Sequence, residues 1–135
     1  MAHKGMKFGI FLAPFHKIGE NPTLAMNRDM ELIEWMDYLG YDEVWIGEHH
    51  SAGWELIASP EIFIAAAAQR TRHIRLGSGV TSLPYHHPFL VAQRFVQLDH
   101  MTRGREATRR GRCLRRADTS PSPAPPRSHR SSLRT

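Results

Sequence analysis

The sequence predicts an α/β fold built on a parallel sheet. Three short apolar runs alternate with segments whose apolar residues recur at helical spacing, and a proline opens each of those segments. Strands alternating with helices imply right-handed crossovers between parallel neighbours. Two architectures satisfy the order β-α-β-α-β-α: an open doubly wound sheet and a closed (β/α)8 barrel.

The first run, Lys7 to Ala13 (KFGIFLA), lies between Gly5 and Pro14 and suits a buried parallel strand. Asn21-Pro22 supplies an N-cap and a first-turn proline. Met26, Met30, Ile33 and Met36 then recur at intervals of 4, 3 and 3, forming one helix face, and Gly40 stands where a left-handed C-cap is wanted. Glu43 to Gly47 (EVWIG) is the second strand. Ser59-Pro60 repeats the capping signal, and Ile62 to Arg70 forms a helix whose four alanines permit close approach to a sheet. Ile74 to Val80 (IRLGSGV) is the third strand. Pro88 opens the third helix, with Phe89, Ala92, Phe95, Val96 and Leu98 as its apolar side. Trp35 and Trp45 fall inside elements and are expected to pack. Trp54, in the loop after the second strand, either lines a pocket or anchors the loop.

With 41% hydrophobic and 23% charged residues, a packed core is possible in 135 residues. A single cysteine, Cys113, excludes an internal disulfide framework. No apolar run approaches membrane length, and Phe8 to Ala13 is too short for a signal-peptide core. These features predict a soluble, reduced, cytoplasmic protein. The net charge of +5 is unevenly placed. Residues 1–105 carry 10 Lys and Arg against 11 Asp and Glu, whereas residues 106–135 carry 8 Arg against 2 acids. The basic segment has no lysine or aromatic residue and contains Pro-Ala-Pro-Pro at 123–126, a composition expected to remain disordered. Without a basic face on the body or aromatics in the tail, nucleic-acid binding is disfavoured. An abrupt switch to Arg, Pro, Ala and Ser is also what a GC-rich gene yields when read out of frame.

Five of the nine histidines follow strand ends: His16 after the first, His49 and His50 after the second, His86 and His87 after the third. Parallel strands bring all five to one edge of the sheet, where titratable groups are candidate acids or bases. Any one of them alone reads as a solvated loop residue. Adjacent histidines in extended backbone point to opposite sides, so each pair offers at most one inward ligand. No metal site is therefore expected. Gly77-Ser78-Gly79 permits close approach of a ligand to the backbone, or simply a turn. No G-x-G-x-x-G supports a dinucleotide site.

Taken in order, several segments resemble the bacterial luciferase-like flavin-dependent monooxygenases, of the limonene monooxygenase kind. They are Met6-Lys7-Phe8-Gly9-Ile10-Phe11-Leu12, then Leu39-Gly40-Tyr41-Asp42-Glu43-Val44-Trp45-Ile46-Gly47-Glu48-His49-His50, and then Ile74-Arg75-Leu76-Gly77-Ser78-Gly79-Val80. Leu83-Pro84, His87-Pro88 and Leu98-Asp99-His100-Met101-Thr102-Arg103-Gly104-Arg105 complete the set. The resemblance implies the barrel alternative, a (β/α)8 TIM barrel. It implies reduced FMN from a separate flavin reductase, O2 as co-substrate and a small organic substrate. It places the catalytic histidine at His49, with Glu48 shaping the site. It puts a non-proline cis peptide, against which the flavin rests, at Gly79-Val80. Within the same barrel family, F420 in place of FMN is the alternative cofactor. A full-length member is expected to be a homo-oligomer.

After Arg105 the resemblance ends, because Glu106 to Arg112 lacks the apolar fourth strand of the family. The chain is therefore expected to comprise about three β-α units over residues 1–105, followed by a disordered Arg/Pro/Ser-rich tail over 106–135. By this reading it is a truncated form that neither binds flavin tightly nor oxygenates by itself.

Overall fold

The expected runs form strands, and the segments between them form helices. The computed structural model describes residues 5–13, 15–51 and 53–106. Strands β1 (Gly9–Leu12), β2 (Glu43–Ile46) and β3 (Arg75–Ser78) alternate with helices α1 (Pro22–Leu39), α2 (Pro60–Arg70) and α3 (Pro88–Thr102). A short 3-10 turn, Leu83–Tyr85, precedes α3. The readings of the tail, disordered or out of frame, fall on residues 107–135 and lie outside the described residues.

Local signals set the helix ends. Asn21 Oδ1 accepts the Thr23 N–H at 2.9 Å, and Pro22 begins α1 without losing a helical bond. Gly40 ends α1 in the left-handed region (φ 81°), donating to Asp37 O while the Tyr41 N–H reaches Met36 O. Ser59 makes no side-chain cap on α2. Thr71 closes that helix by donating its hydroxyl to Ala67 O at 2.9 Å.

The sheet is parallel in the order β1-β2-β3, with Ile10 opposite Val44 and Val44 opposite Leu76. Alternation along the strands gives the sheet two different faces. Ile10, Leu12, Val44, Ile46 and Leu76 meet the helices and join a core with Ile33, Met36, Ile64, Ala67, Phe95 and Leu98. Burying each large aliphatic side chain contributes about 1.5–3 kcal/mol. The other face carries Phe11, Trp45 and Gly77. No described helix covers it, and Phe11 remains 54% exposed.

The fourth passage of the chain decides between the two architectures. The sequential order of β1 to β3 is common to barrels and to one half of a doubly wound sheet. In the wound sheet the next strand returns beside β1, and its helix crosses to the opposite face. Here α3 packs on α2, and Glu106 forms a parallel bridge to Leu76, whose N–H donates to Arg105 O at 3.0 Å. The chain thus adds its fourth strand position beside β3, as a barrel does. This bridge falls on the expected 105/106 boundary and places the buried Glu106 with the body.

Some packing differs from expectation. Trp35 is 61% exposed and meets Tyr38 edge-on, because it lies off the Met30–Ile33–Met36 stripe. On α3, Phe95 and Leu98 are buried while Phe89 and Val96 face outward. Among the described residues no helix is long and apolar enough to cross a membrane.

Candidate active site at the carboxyl ends of the strands

All three strands point their carboxyl ends at one rim, the end where (β/α)8 enzymes place their chemistry. The segment after β2 delivers Glu48, His49 and His50. The segment after β3 delivers Gly79, Val80, Ser82 and His86.

Glu48 organises this rim. Its side chain is wholly buried, and its Oε1 lies 2.6 Å from His50 Nε2 and 2.9 Å from His86 Nε2. Its Oε2 accepts the Ser82 N–H at 2.9 Å. Burial alone would raise the Glu48 pKa. The hydrogen bonds from His50, Ser82 and His86, together with the charge attraction of His86, outweigh burial and hold it below the ordinary carboxylate value. The buried group is therefore an ionised acceptor that ties the loop after β2 to the loop after β3.

His49 turns the other way. Its Nδ1 lies 2.8 Å from Oε2 of the buried Glu55, and nearly half of its side chain is open to solvent. A carboxylate on Nδ1 fixes the imidazole and leaves Nε2 for other partners, the arrangement that an oriented general base requires. His49 and His50 thus diverge as adjacent residues in extended backbone should. His16 stays among the loops after β1 and β2, but its side chain is buried, with Nε2 2.8 Å from Asp29 Oδ2 on α1. His87 is exposed and serves as the N-cap residue of α3 without a side-chain bond. Of the five strand-end histidines, only His50 and His86 share a partner.

The peptide bond between Gly79 and Val80 is cis, at the position the resemblance implied. The Gly79 N–H donates to Ile46 O at 2.8 Å. A Cβ on Gly79 would lie 3.1 Å from Trp45 Cβ and 3.3 Å from the Phe11 ring, so the backbone rests directly on those aromatics. Val80 beyond it is 62% exposed. Phe11, Trp45 and this segment make an open apolar surface on the uncovered face of the sheet. Trp54 stacks on Phe15 with centroids 4.8 Å apart, and its carbonyl accepts the His16 N–H, so it anchors the loops after β1 and β2 to each other.

Sequence reasoning missed Glu55, Asp29 and Ser82 as partners. The first two are acids near a histidine in space, and spacing alone did not mark them. Ser82 contributes only a backbone donor, which no residue pattern reveals.

Three parallel β/α units with a fourth strand position beside β3 define part of an α/β barrel. Within that class, the model of the luciferase-like monooxygenase family matches residues 6–108, and this chain belongs to that family. It is 66% identical over 100 residues to 4-hydroxyprotoasukamycin monooxygenase of Streptomyces nodosus subsp. asukaensis, a match covering 74% of this chain and 27% of that protein. It is 61% identical over 98 residues to limonene 1,2-monooxygenase of Rhodococcus erythropolis, covering 73% of this chain and 25% of that protein. Among solved structures, it superposes with a TM-score of 0.72 and 30% identity on the oxygenating constituent of 3,6-diketocamphane monooxygenase from Pseudomonas putida in complex with FMN. That match covers 76% of this chain and 28% of the other. The chain spans about a quarter of the length of the curated relatives it matches.

Proposed function

We propose that this chain forms the first three β/α units of a flavin-dependent monooxygenase that transfers one oxygen atom of O2 to a small organic substrate. Its cofactor is reduced FMN, supplied by a separate reductase. The observation that carries this reading is the shared rim: the oriented His49–Glu55 pair stands at the same end of the sheet as the Gly79-Val80 segment and its aromatic bed. FMN is preferred to F420 because the solved oxygenase relative holds FMN.

The residues fit a flavin. The isoalloxazine ring is planar and largely apolar, and the exposed Val80, next to the Gly79 backbone that rests on Phe11, offers a matching surface. When bound, reduced flavin supplies the electrons that activate O2. This chain's own groups do the rest. Gly79 and Val80 orient the ring, and the aromatic bed excludes water from beneath it. His49 Nε2 accepts or returns a proton at the reacting edge, with Glu55 fixing the imidazole. Glu48 shapes the rim by joining its two loops.

The test is a chimera in which residues 6–106 replace the matching part of the limonene 1,2-monooxygenase relative. Oxygenation dependent on an FMN reductase is expected to persist. His49→Asn should lower its rate by about 100-fold or more, the range for a lost general base. A folded chimera that binds no FMN would sink the flavin reading, and an unchanged His49→Asn rate would remove His49 from catalysis. The 135-residue chain itself is expected to bind FMN only weakly, and micromolar binding with turnover would overturn that expectation.

A further inference from the structure

We propose that Glu48, His50 and His86 form a binding site for a divalent transition-metal ion, with zinc the best chemical match. The three donor atoms, Glu48 Oε1, His50 Nε2 and His86 Nε2, lie within 4.8 Å of one another. Two imidazole nitrogens and one carboxylate oxygen form the protein donor set of an open zinc site, which keeps its fourth position for water or an exogenous ligand.

Capture takes a local rearrangement of the two imidazoles. Both nitrogens now hydrogen-bond to one carboxylate oxygen, at 2.6 and 2.9 Å. Zinc bonds of about 2.0–2.2 Å in a tetrahedron place donors about 3.3 Å apart, so each imidazole withdraws from Oε1 by about half an ångström while the two nitrogens, within 4.8 Å of each other, close toward that spacing. To bind the ion, each imidazole gives up its hydrogen bond to Oε1 and presents the Nε2 lone pair in its place.

The surroundings are built for a ligand set. Ser82 N–H holds Oε2, fixing the carboxylate plane as an outer-shell donor should. Tyr85 meets the His50 ring edge-on at 4.8 Å and limits its rotation. Entry is open: the Glu48 side chain is fully buried at the floor, while those of His50 and His86 are 30% and 16% exposed at the rim. An ion therefore arrives from the solvent side and leaves its fourth position facing out. His49 takes no part, since its Nδ1 is held by Glu55.

Each adjacent histidine pair supplies one inward ligand, His50 from the first and His86 from the second, as the alternation of extended backbone requires. The third ligand is the acid, which a search for histidine or cysteine spacings passes over. The site needs neither flavin nor the remainder of a barrel, so its test is independent of the oxygenase reading.

The experiment titrates the full 135-residue chain with Zn2+ alone at pH 7.5 by calorimetry. The expected result is one equivalent bound with a Kd in about the micromolar range. His50→Ala and His86→Ala should each weaken binding by about tenfold or more, and His87→Ala should not change it. Co2+ should give an intense visible spectrum in the parent chain that is lost in the double variant. His50→Ala leaves Glu48 two hydrogen bonds, and its circular dichroism should match that of the parent. Absence of binding below about 100 µM, or equal affinity in the His50→Ala/His86→Ala chain, would overturn the proposal.

Discussion

Asp37 should be the most sensitive surface-proximal residue of the fold, and its loss can be worked out in numbers. It sits in the last turn of α1 and gathers the backbone just before β3. Its Oδ2 accepts the Arg72 N–H at 2.7 Å, and its Oδ1 accepts those of His73 and Ile74 at 2.8 and 2.6 Å. Hydrogen bonds to a charged group contribute about 1.5–3 kcal/mol each. Water can replace the carboxylate at Arg72 and His73, which are exposed, but not at Ile74, which is fully buried. Asp37→Ala is therefore expected to cost about 2–4 kcal/mol, most of it the stranded Ile74 donor. Asp37→Asn keeps one acceptor oxygen and should cost roughly half as much. Burial raises the Asp37 pKa, but the three N–H donors and the charge attraction of His73 outweigh it, so the folded value lies below the ordinary one. Its contribution is thus complete above the unfolded-state pKa, near about 3.9, and is lost as pH falls through the lower folded value. Urea unfolding at pH 7 and at pH 3 measures both effects. An Asp37→Ala midpoint equal to that of the parent at pH 7 would refute the reasoning.

Gly9 stands opposite Glu43, where an added Cβ would lie 2.6 Å from the Glu43 carbonyl oxygen and 2.7 Å from its Cγ. Gly9→Ala must push β1 from β2, an overpacking cost of about 1–3 kcal/mol, seen as a lower melting temperature. Arg105 donates from Nη1 to Thr71 Oγ1, from Nη2 to Ala68 O and from Nε to Thr102 O, at 2.9, 2.7 and 3.2 Å. Arg105→Ala should cost about 1–3 kcal/mol in urea unfolding, and Arg105→Lys should recover less than half, because an ammonium cannot reproduce the fork.

What the sequence made legible was local. Strand runs, the Asn21 cap, the Gly40 turn and the methionine stripe depend on residues a few positions apart. The same stripe also disposes of Trp35: it falls between Ile33 and Met36, so its outward position was readable from the spacing that placed the core. Long-range pairs were not legible. Asp37 meets backbone 35 to 37 residues away, and Glu48 meets His86 at a separation of 38. Such pairs arise only once the crossovers have laid successive units side by side. Between neighbours the chemistry was half readable. Alternation foretold that His49 and His50 would separate, but the acids that receive them, Glu55 and Glu48, are chosen by the folded loop.

The rim is shared between units rather than built unit by unit. Glu48 comes from the loop after β2, yet two of its three hydrogen bonds come from the loop after β3, through Ser82 and His86. A buried carboxylate stays ionised only while donors offset its desolvation. Removing the third unit would leave Glu48 with His50 alone, and the carboxylate would have to protonate or move out to water. The loop that carries His49 therefore owes its shape to a unit that contributes no proposed proton-transfer group of its own. On the uncovered face the same dependence runs through apolar contact, because Gly79 of the third unit rests on Trp45 of the second and Phe11 of the first. Among the described units, the third thus completes contacts begun by the first two. That explains why three consecutive units already hold the Glu48 network and the cis Gly79-Val80 segment in one arrangement.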